Sequence, residues 1–181
     1  DNRLFESERR MLEKYEKRGS FSAQVALDGN KEWPLHGKEI TALTPLDPSR
    51  FPNPIIPHSE RNIVFGFAGN PGAVNHHRDG RVTGRRPLVA EMMQFGLRLR
   101  ERTRCTGNME ASVSSYKEAA DYMAHTRIMP NFCQTGSFDR MHVKGRVVEA
   151  GWAGCLLLEP AGSPARDWFE PGVDYMEYAD M

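Results

Sequence analysis

The sequence predicts an α/β fold: a doubly wound parallel sheet with helices on both of its faces. Two observations carry that expectation. Short apolar runs alternate along the chain with segments of helical periodicity, and strands that alternate with helices pair in parallel through helical crossovers. The best run, Asn62-Ile63-Val64-Phe65-Gly66-Phe67-Ala68, is apolar throughout rather than at every second position, as a strand covered on both faces should be. The 181 residues carry 39% hydrophobic side chains, enough for one domain with a real core, or one domain plus an appendage.

The elements follow in order. Residues 3–18 place Leu4, Met11, Leu12 and Tyr15 on one face of a charged helix that Gly19 ends. Phe21 to Leu27 reads as a short strand, and Asp28-Gly29-Asn30 as a turn. From Trp33 to Pro57 the prolines accumulate (Pro34, Pro45, Pro48, Pro52, Pro54, Pro57), which predicts an extended linker or wrap and the main boundary in the chain. The expected organisation is therefore residues 1–57 as an N-terminal extension or the tail of a preceding domain, followed by a domain over residues 58–181.

Within that domain the strand at 62–68 leads into the turn Gly69-Asn70-Pro71-Gly72, and residues 73–84 read as a mobile polar loop. Arg85 to Arg102 is a largely buried helix. Tyr116, Ala119, Ala120 and Met123 recur at helical spacing, with Ser114 or Ser115 as N-cap and Glu118 completing a capping box if Ser115 is the cap. Arg127 to Cys133 is a strand. A helix then begins near Val143–Arg146, with Val148, Gly151, Trp152 and Cys155 on its packing face, and the apolar strand Leu156-Leu157-Leu158 follows. A helical turn at Arg166–Phe169 and a strand at Val173–Tyr178 close the pattern; Trp152, Trp168 and Phe169 are expected in the core.

Composition narrows function. Lys plus Arg and Asp plus Glu each number 24, and zero net charge argues against a general nucleic-acid binder. Arg78, Arg81, Arg85, Arg86, Arg98, Arg100, Arg102 and Arg104 crowd the middle of the chain and read as a solvated helix face. Cys105, Cys133 and Cys155 form no CxxC pair and no disulfide framework. Together with the lack of any apolar run long enough to span a membrane, and of an opening signal peptide, this predicts a cytoplasmic protein without a transmembrane segment. The chain opens at Asp1 rather than Met, as expected of a piece of a longer protein.

In open parallel sheets, ligands bind beyond the carboxyl ends of the strands, where helix N-termini also point. Two segments reach that edge. Gly66-Phe67-Ala68-Gly69-Asn70-Pro71-Gly72 offers glycines that let a backbone approach phosphate, but it lacks the dinucleotide fingerprint, whose first glycine would fall at Phe67. The second runs from Gly136 to Glu159. Its helix start combines Lys144, Gly145 and Arg146 with free backbone N–H groups, a setting that favours a diphosphate. Glu149 lies one turn in, where its carboxylate can take both hydroxyls of a ribose; the competing reading pairs it with Arg146 or another local arginine. His76 and His77 lack a third ligand at a sensible spacing, so no metal site is expected.

At this point the chain resembles a known family. Glu149-Ala150-Gly151-Trp152-Ala153-Gly154-Cys155-Leu156-Leu157-Leu158 is similar to the E-A-x-A-x-G-x-P/L-x-x block of GT-B glycosyltransferases, and Trp168-Phe169-Glu170-Pro171-Gly172-Val173-Asp174-Tyr175-Met176-Glu177-Tyr178 resembles the f-x-p-G-x-e-y-x-x-y segment that follows it there. Val64-Phe65-Gly66-Phe67-Ala68-Gly69-Asn70, Tyr116-Lys117-Glu118-Ala119-Ala120-Asp121-Tyr122-Met123 and Ile128-Met129-Pro130-Asn131-Phe132 are similar to the elements that precede the block, in the same order over roughly residues 60–180. Many retaining members carry a further acid eight positions before the ribose glutamate; here Met141 stands there, and Asp139 is the nearest acid.

The resemblance implies a Rossmann-like, donor-binding C-terminal half of a hexosyltransferase-type enzyme, with residues 1–57 joining it to an acceptor domain. Its substrate would be a nucleotide-diphosphate sugar, its acceptor a sugar, lipid or protein, and it would need no cofactor. Glu149 would hold the ribose, and Lys144, Gly145, Arg146, Gly69 and Gly72 the diphosphate; no catalytic base is named by the match. The alternative is a non-catalytic nucleotide-binding or interaction module on the same scaffold.

Overall fold

The computed structural model describes residues 10, 14, 24–27, 39–68, 75–76, 82–83, 85–98, 103–105, 115–133 and 141–179. Its centre is a five-stranded parallel sheet. The strands, with β1 (Gln24–Leu27) and β2 (Glu39–Ala42) preceding them, are β3 (Ile63–Phe67), β6 (Thr103–Cys105), β7 (Thr126–Pro130), β8 (Leu156–Pro160) and β9 (Met176–Tyr178), in the spatial order β6-β3-β7-β8-β9. Every pairing is parallel, with Phe65 opposite Thr103 and Ile128, Ile128 opposite Leu156, and Leu158 opposite Met176. Three helices connect the strands: α1 (Arg85–Arg98), α2 (Tyr116–Ala124) and α3 (Gly145–Ala153).

Strand alternation sets which helix meets which face. Phe65 and Phe67 point toward α1: the Phe65 ring meets Phe95 edge-on at 6.0 Å, and Phe67 packs with Val89, Met92 and Phe132. Gly66 points the other way. A Cβ there would lie 2.7 Å from the Tyr122 hydroxyl of α2 and from the Thr126 side chain, so only glycine lets α2 sit this close to the strand. Ala153 of α3 shares a core cluster with Ala120 and Met123 of α2, and Ala150 and Val147 of α3 pack on Leu157, Val143, Ala165 and Tyr175.

The inward face of α3 is therefore Val147, Ala150 and Ala153, in place of the expected Val148, Gly151 and Trp152, while Cys155, just beyond the helix, packs against both core clusters as expected. Trp152 is 48% exposed and Trp168 40%, against the expectation that both are core. Small side chains win the inward face because α3 packs against both α2 and the sheet, and an indole does not fit between them. Gly154 ends α3 in the left-handed conformation (φ 68°), where a Cβ would meet Ile55 and Arg61.

Ser115 caps α2, and its Oγ accepts from the Glu118 N–H at 3.2 Å. The Pro-rich stretch is a wrap whose Phe51 is buried beside Ile63, Ala68 and Met123, with Leu46 against the same cluster. Inside it, Glu39–Ala42 forms a strand parallel to β1 that the sequence pattern does not reveal. Arg61 ties the wrap down. Fully buried, it donates through Nη1 to the Thr126 carbonyl at 2.8 Å and through Nε and Nη2 to the Ile56 carbonyl at 2.9 and 2.8 Å. The expected loop at 73–84 contains a short antiparallel pair, β4 (Asn75–His76) with β5 (Val82–Thr83). No helix among the described residues is long and apolar enough to cross a membrane.

Candidate functional site at the carboxyl edge

The chain leaves β3 for the edge strand β6 and then returns past β3 to β7. In open parallel sheets a reversal of this kind sets the ligand crevice between the carboxyl ends of the two strands, here β3 and β7. Phe67 ends β3 there, and Asn131, Phe132 and Cys133 follow β7. The Phe67 and Phe132 ring centroids stand 5.5 Å apart. The Arg146 guanidinium lies 5.4 Å from the centroid of Phe67, which puts a cation at the crevice.

Arg146 belongs to the first turn of α3. Lys144 is the N-cap of that helix, in extended conformation, and its side chain makes no capping hydrogen bond; no acidic residue occupies the first turn. The contrast with α2 is direct, since Ser115 and Glu118 already fill that helix's first turn. The N-cap side chain of α3 thus leaves the positive end of the helix dipole uncapped, and two cationic residues stand at that end. An added Cβ on Gly145 would meet nothing within 4 Å among the described residues.

Glu149 follows one turn later and is half-buried. The Tyr116 hydroxyl of α2 donates to Glu149 Oε1. The Tyr116 ring is in turn covered by the Arg50 guanidinium, 4.4 Å from its centroid. Burial, then the hydrogen bond to the Glu149 carboxylate, push the Tyr116 hydroxyl up to about 12, so it keeps its proton across the physiological range.

Four of the six expected donor-site residues, Lys144, Gly145, Arg146 and Glu149, are therefore gathered on the first two turns of α3. Gly69 and Gly72 lie outside the described residues, as do Asp139 and His77. His142 precedes α3, its backbone N–H bonded to the Cys133 carbonyl at 3.0 Å. Met141 is exposed. Among the described residues no three His, Cys, Asp or Glu side chains converge as metal ligands would.

Sequence reasoning missed Tyr116 and Arg50 as neighbours of Glu149, since the three are spread over a hundred residues. It also missed a second acid at the same edge. Glu159, on β8, is fully buried; Asn131 Nδ2 donates to its Oε1, while Oε2 meets no hydrogen-bond partner among the described residues. Burial pushes the Glu159 carboxyl up, with Asn131 and Ser163 pulling the other way. The same pocket of charge and low dielectric drives the Cys133 thiol up to about 11, mainly through burial and then through Glu159. The Tyr178 hydroxyl closes the group by donating to the Asn131 carbonyl at 2.9 Å. An acid ending an apolar strand in phase with inward Leu157 was the available signal.

Comparison of the chain with models of protein families, with curated proteins and with solved structures finds no match.

Proposed function

We propose that this chain is the donor-binding half of a glycosyltransferase with the doubly wound GT-B architecture, transferring a sugar from a nucleoside-diphosphate sugar to a sugar, lipid or protein acceptor. The observation that carries the reading is the first turn of α3: an N-terminus whose N-cap side chain makes no capping bond, with Lys144 and Arg146 at the point where the strand order reverses and a half-buried carboxylate one turn on. Diphosphate and ribose are separated in a nucleotide by about the same span.

The chemistry follows from that placement. The bond between the anomeric carbon and the β-phosphate oxygen breaks, and the acceptor oxygen takes its place on the carbon. Negative charge grows on the departing diphosphate. Lys144, Arg146 and the backbone N–H groups at Gly145 would stabilise that charge more in the transition state than in the ground state, which is what lowers a barrier. Glu149 accepts from the ribose hydroxyls and so fixes the nucleotide along the edge. The Tyr116–Glu149 hydrogen bond favours a second reading, a non-catalytic module in which Glu149 only ties α3 to α2.

Calorimetric titration with uridine and guanosine diphosphates separates the two. The donor-site reading expects one of them to bind and Glu149→Ala to weaken that binding roughly tenfold or more, the value of hydrogen bonds to a charged acceptor. If neither nucleotide binds, and Glu149→Ala alters only stability, the second reading holds.

A further inference from the structure

We propose that Tyr116 is a positioning residue for ribose recognition, holding the Glu149 carboxylate in the orientation that receives a vicinal diol; this rests on the donor-site reading above. A glutamate on a helix surface samples many rotamers, and fixing one on binding opposes affinity. Here the fixing is done beforehand. Tyr116 is the first residue of α2, directly after the Ser115 cap, so its backbone is set by the capped turn. Its ring has few rotamers, and Arg50 lies over one face of it. Arg50 is itself paired with Asp47 at 3.5 Å, and Asp47 accepts from the Ser49 N–H and Oγ at 3.0 and 2.7 Å. A relay of contacts thus runs from the Pro-rich wrap through α2 to Glu149 on α3.

The hydrogen-bond count agrees. A carboxylate offers about four lone-pair directions, and the Tyr116 hydroxyl takes one of them. Both donors of a ribose diol still find acceptors on the same group, so Tyr116 and ribose bind Glu149 together rather than in competition. Tyr116 keeps its proton through the physiological range, so its role as donor does not lapse there.

Tyr116→Phe tests this. It keeps the ring for Arg50 and removes only the hydroxyl of a side chain that is 44% exposed, so thermal melts should match the parent. The full chain is titrated with uridine and guanosine diphosphates and with their 2′,3′-dideoxy forms. The expected result is an affinity about fivefold lower for the ribonucleotide, as for one side chain no longer ordered in advance, with no change for the dideoxy form and no further loss in a Glu149→Ala background. Equal losses for both sugars, a loss that persists without Glu149, or tighter binding by Tyr116→Phe would overturn the proposal while leaving the donor site intact. Failure of the parent chain to bind either ribonucleotide would overturn the donor-site reading and this inference with it.

Discussion

Glu149 and Glu159 stand ten residues apart, both reach the carboxyl edge of the sheet, and the fold treats them in opposite ways. Glu149 projects from a helix, stays half-buried, receives one donor from Tyr116 and has Arg146 and Lys144 on the turn before it. Glu159 projects inward from a strand, is sealed from solvent beside Asn131, Ser163, Cys133 and Tyr178, and has its carboxyl pushed up by burial. A carboxylate that is to meet a ligand needs solvent access and nearby cations to stay charged. One that serves packing gives up both, and burial raises its pKa. The difference sets the acid proposed to bind apart from a buried structural one where residue type alone does not.

The comparison breaks most visibly in stability. Glu159→Ala should cost about 2–4 kcal/mol, because it opens a cavity in a closed layer and leaves the Asn131 amide without its acceptor. Glu149→Ala should cost less than about 1 kcal/mol, since water can replace the lost partner of an exposed Tyr116. Urea unfolding of the two variants measures both. Equal losses would mean that Glu149 is as structural as Glu159, and the donor site would lose its main residue.

How far the sequence reaches follows the same division. The strand at 63–67, the Ser115 cap of α2 and the α3–β8 unit were legible because each is specified by neighbours in the chain. So was the cluster of Lys144, Gly145, Arg146 and Glu149, which one helix start assembles. The supports were not legible. Arg50 reaches Tyr116 from the wrap, and Arg61 reaches Thr126 across 65 residues; only the folded chain creates these contacts. The inward face of α3 was misread because Trp152 looks like a core residue, whereas the space between α2 and the sheet admits only Val147, Ala150 and Ala153. Phe51 was hidden by the six prolines around it, whose stiff backbone argues for an extended path but says nothing of what that path covers.

A smaller effect sharpens the comparison through pH. The folded-state pKa of Glu159 is raised from its ordinary value of 4.5. The native state then holds this proton more tightly than the unfolded chain does, so stability is fully present below pH 4.5 and declines as pH rises toward the folded pKa. Glu159→Gln replaces the acid with an isosteric amide that does not titrate and should remove that decline, leaving the variant more stable than the parent above the window. Thermal melts across the pH range read the slope. A parent curve identical to that of Glu159→Gln would show that Glu159 is ionised in the fold and has found a partner for its charge.

The smallest structural effect is expected at Gly145, and its value lies in that smallness. An added Cβ there meets nothing within 4 Å among the described residues, and alanine is the better helix former, so Gly145→Ala should leave stability unchanged or raise it by up to about 0.5 kcal/mol. On the donor-site reading, a diphosphate would approach the N–H groups of α3 at this position. A methyl group placed there should therefore weaken nucleoside-diphosphate binding about fivefold while the melting temperature holds, the magnitude of one poorly formed charge-assisted hydrogen bond. Calorimetry beside a thermal melt reads both quantities on one sample. Unchanged affinity would move the phosphates away from the start of α3 and leave Glu149 to be explained by its bond with Tyr116 alone.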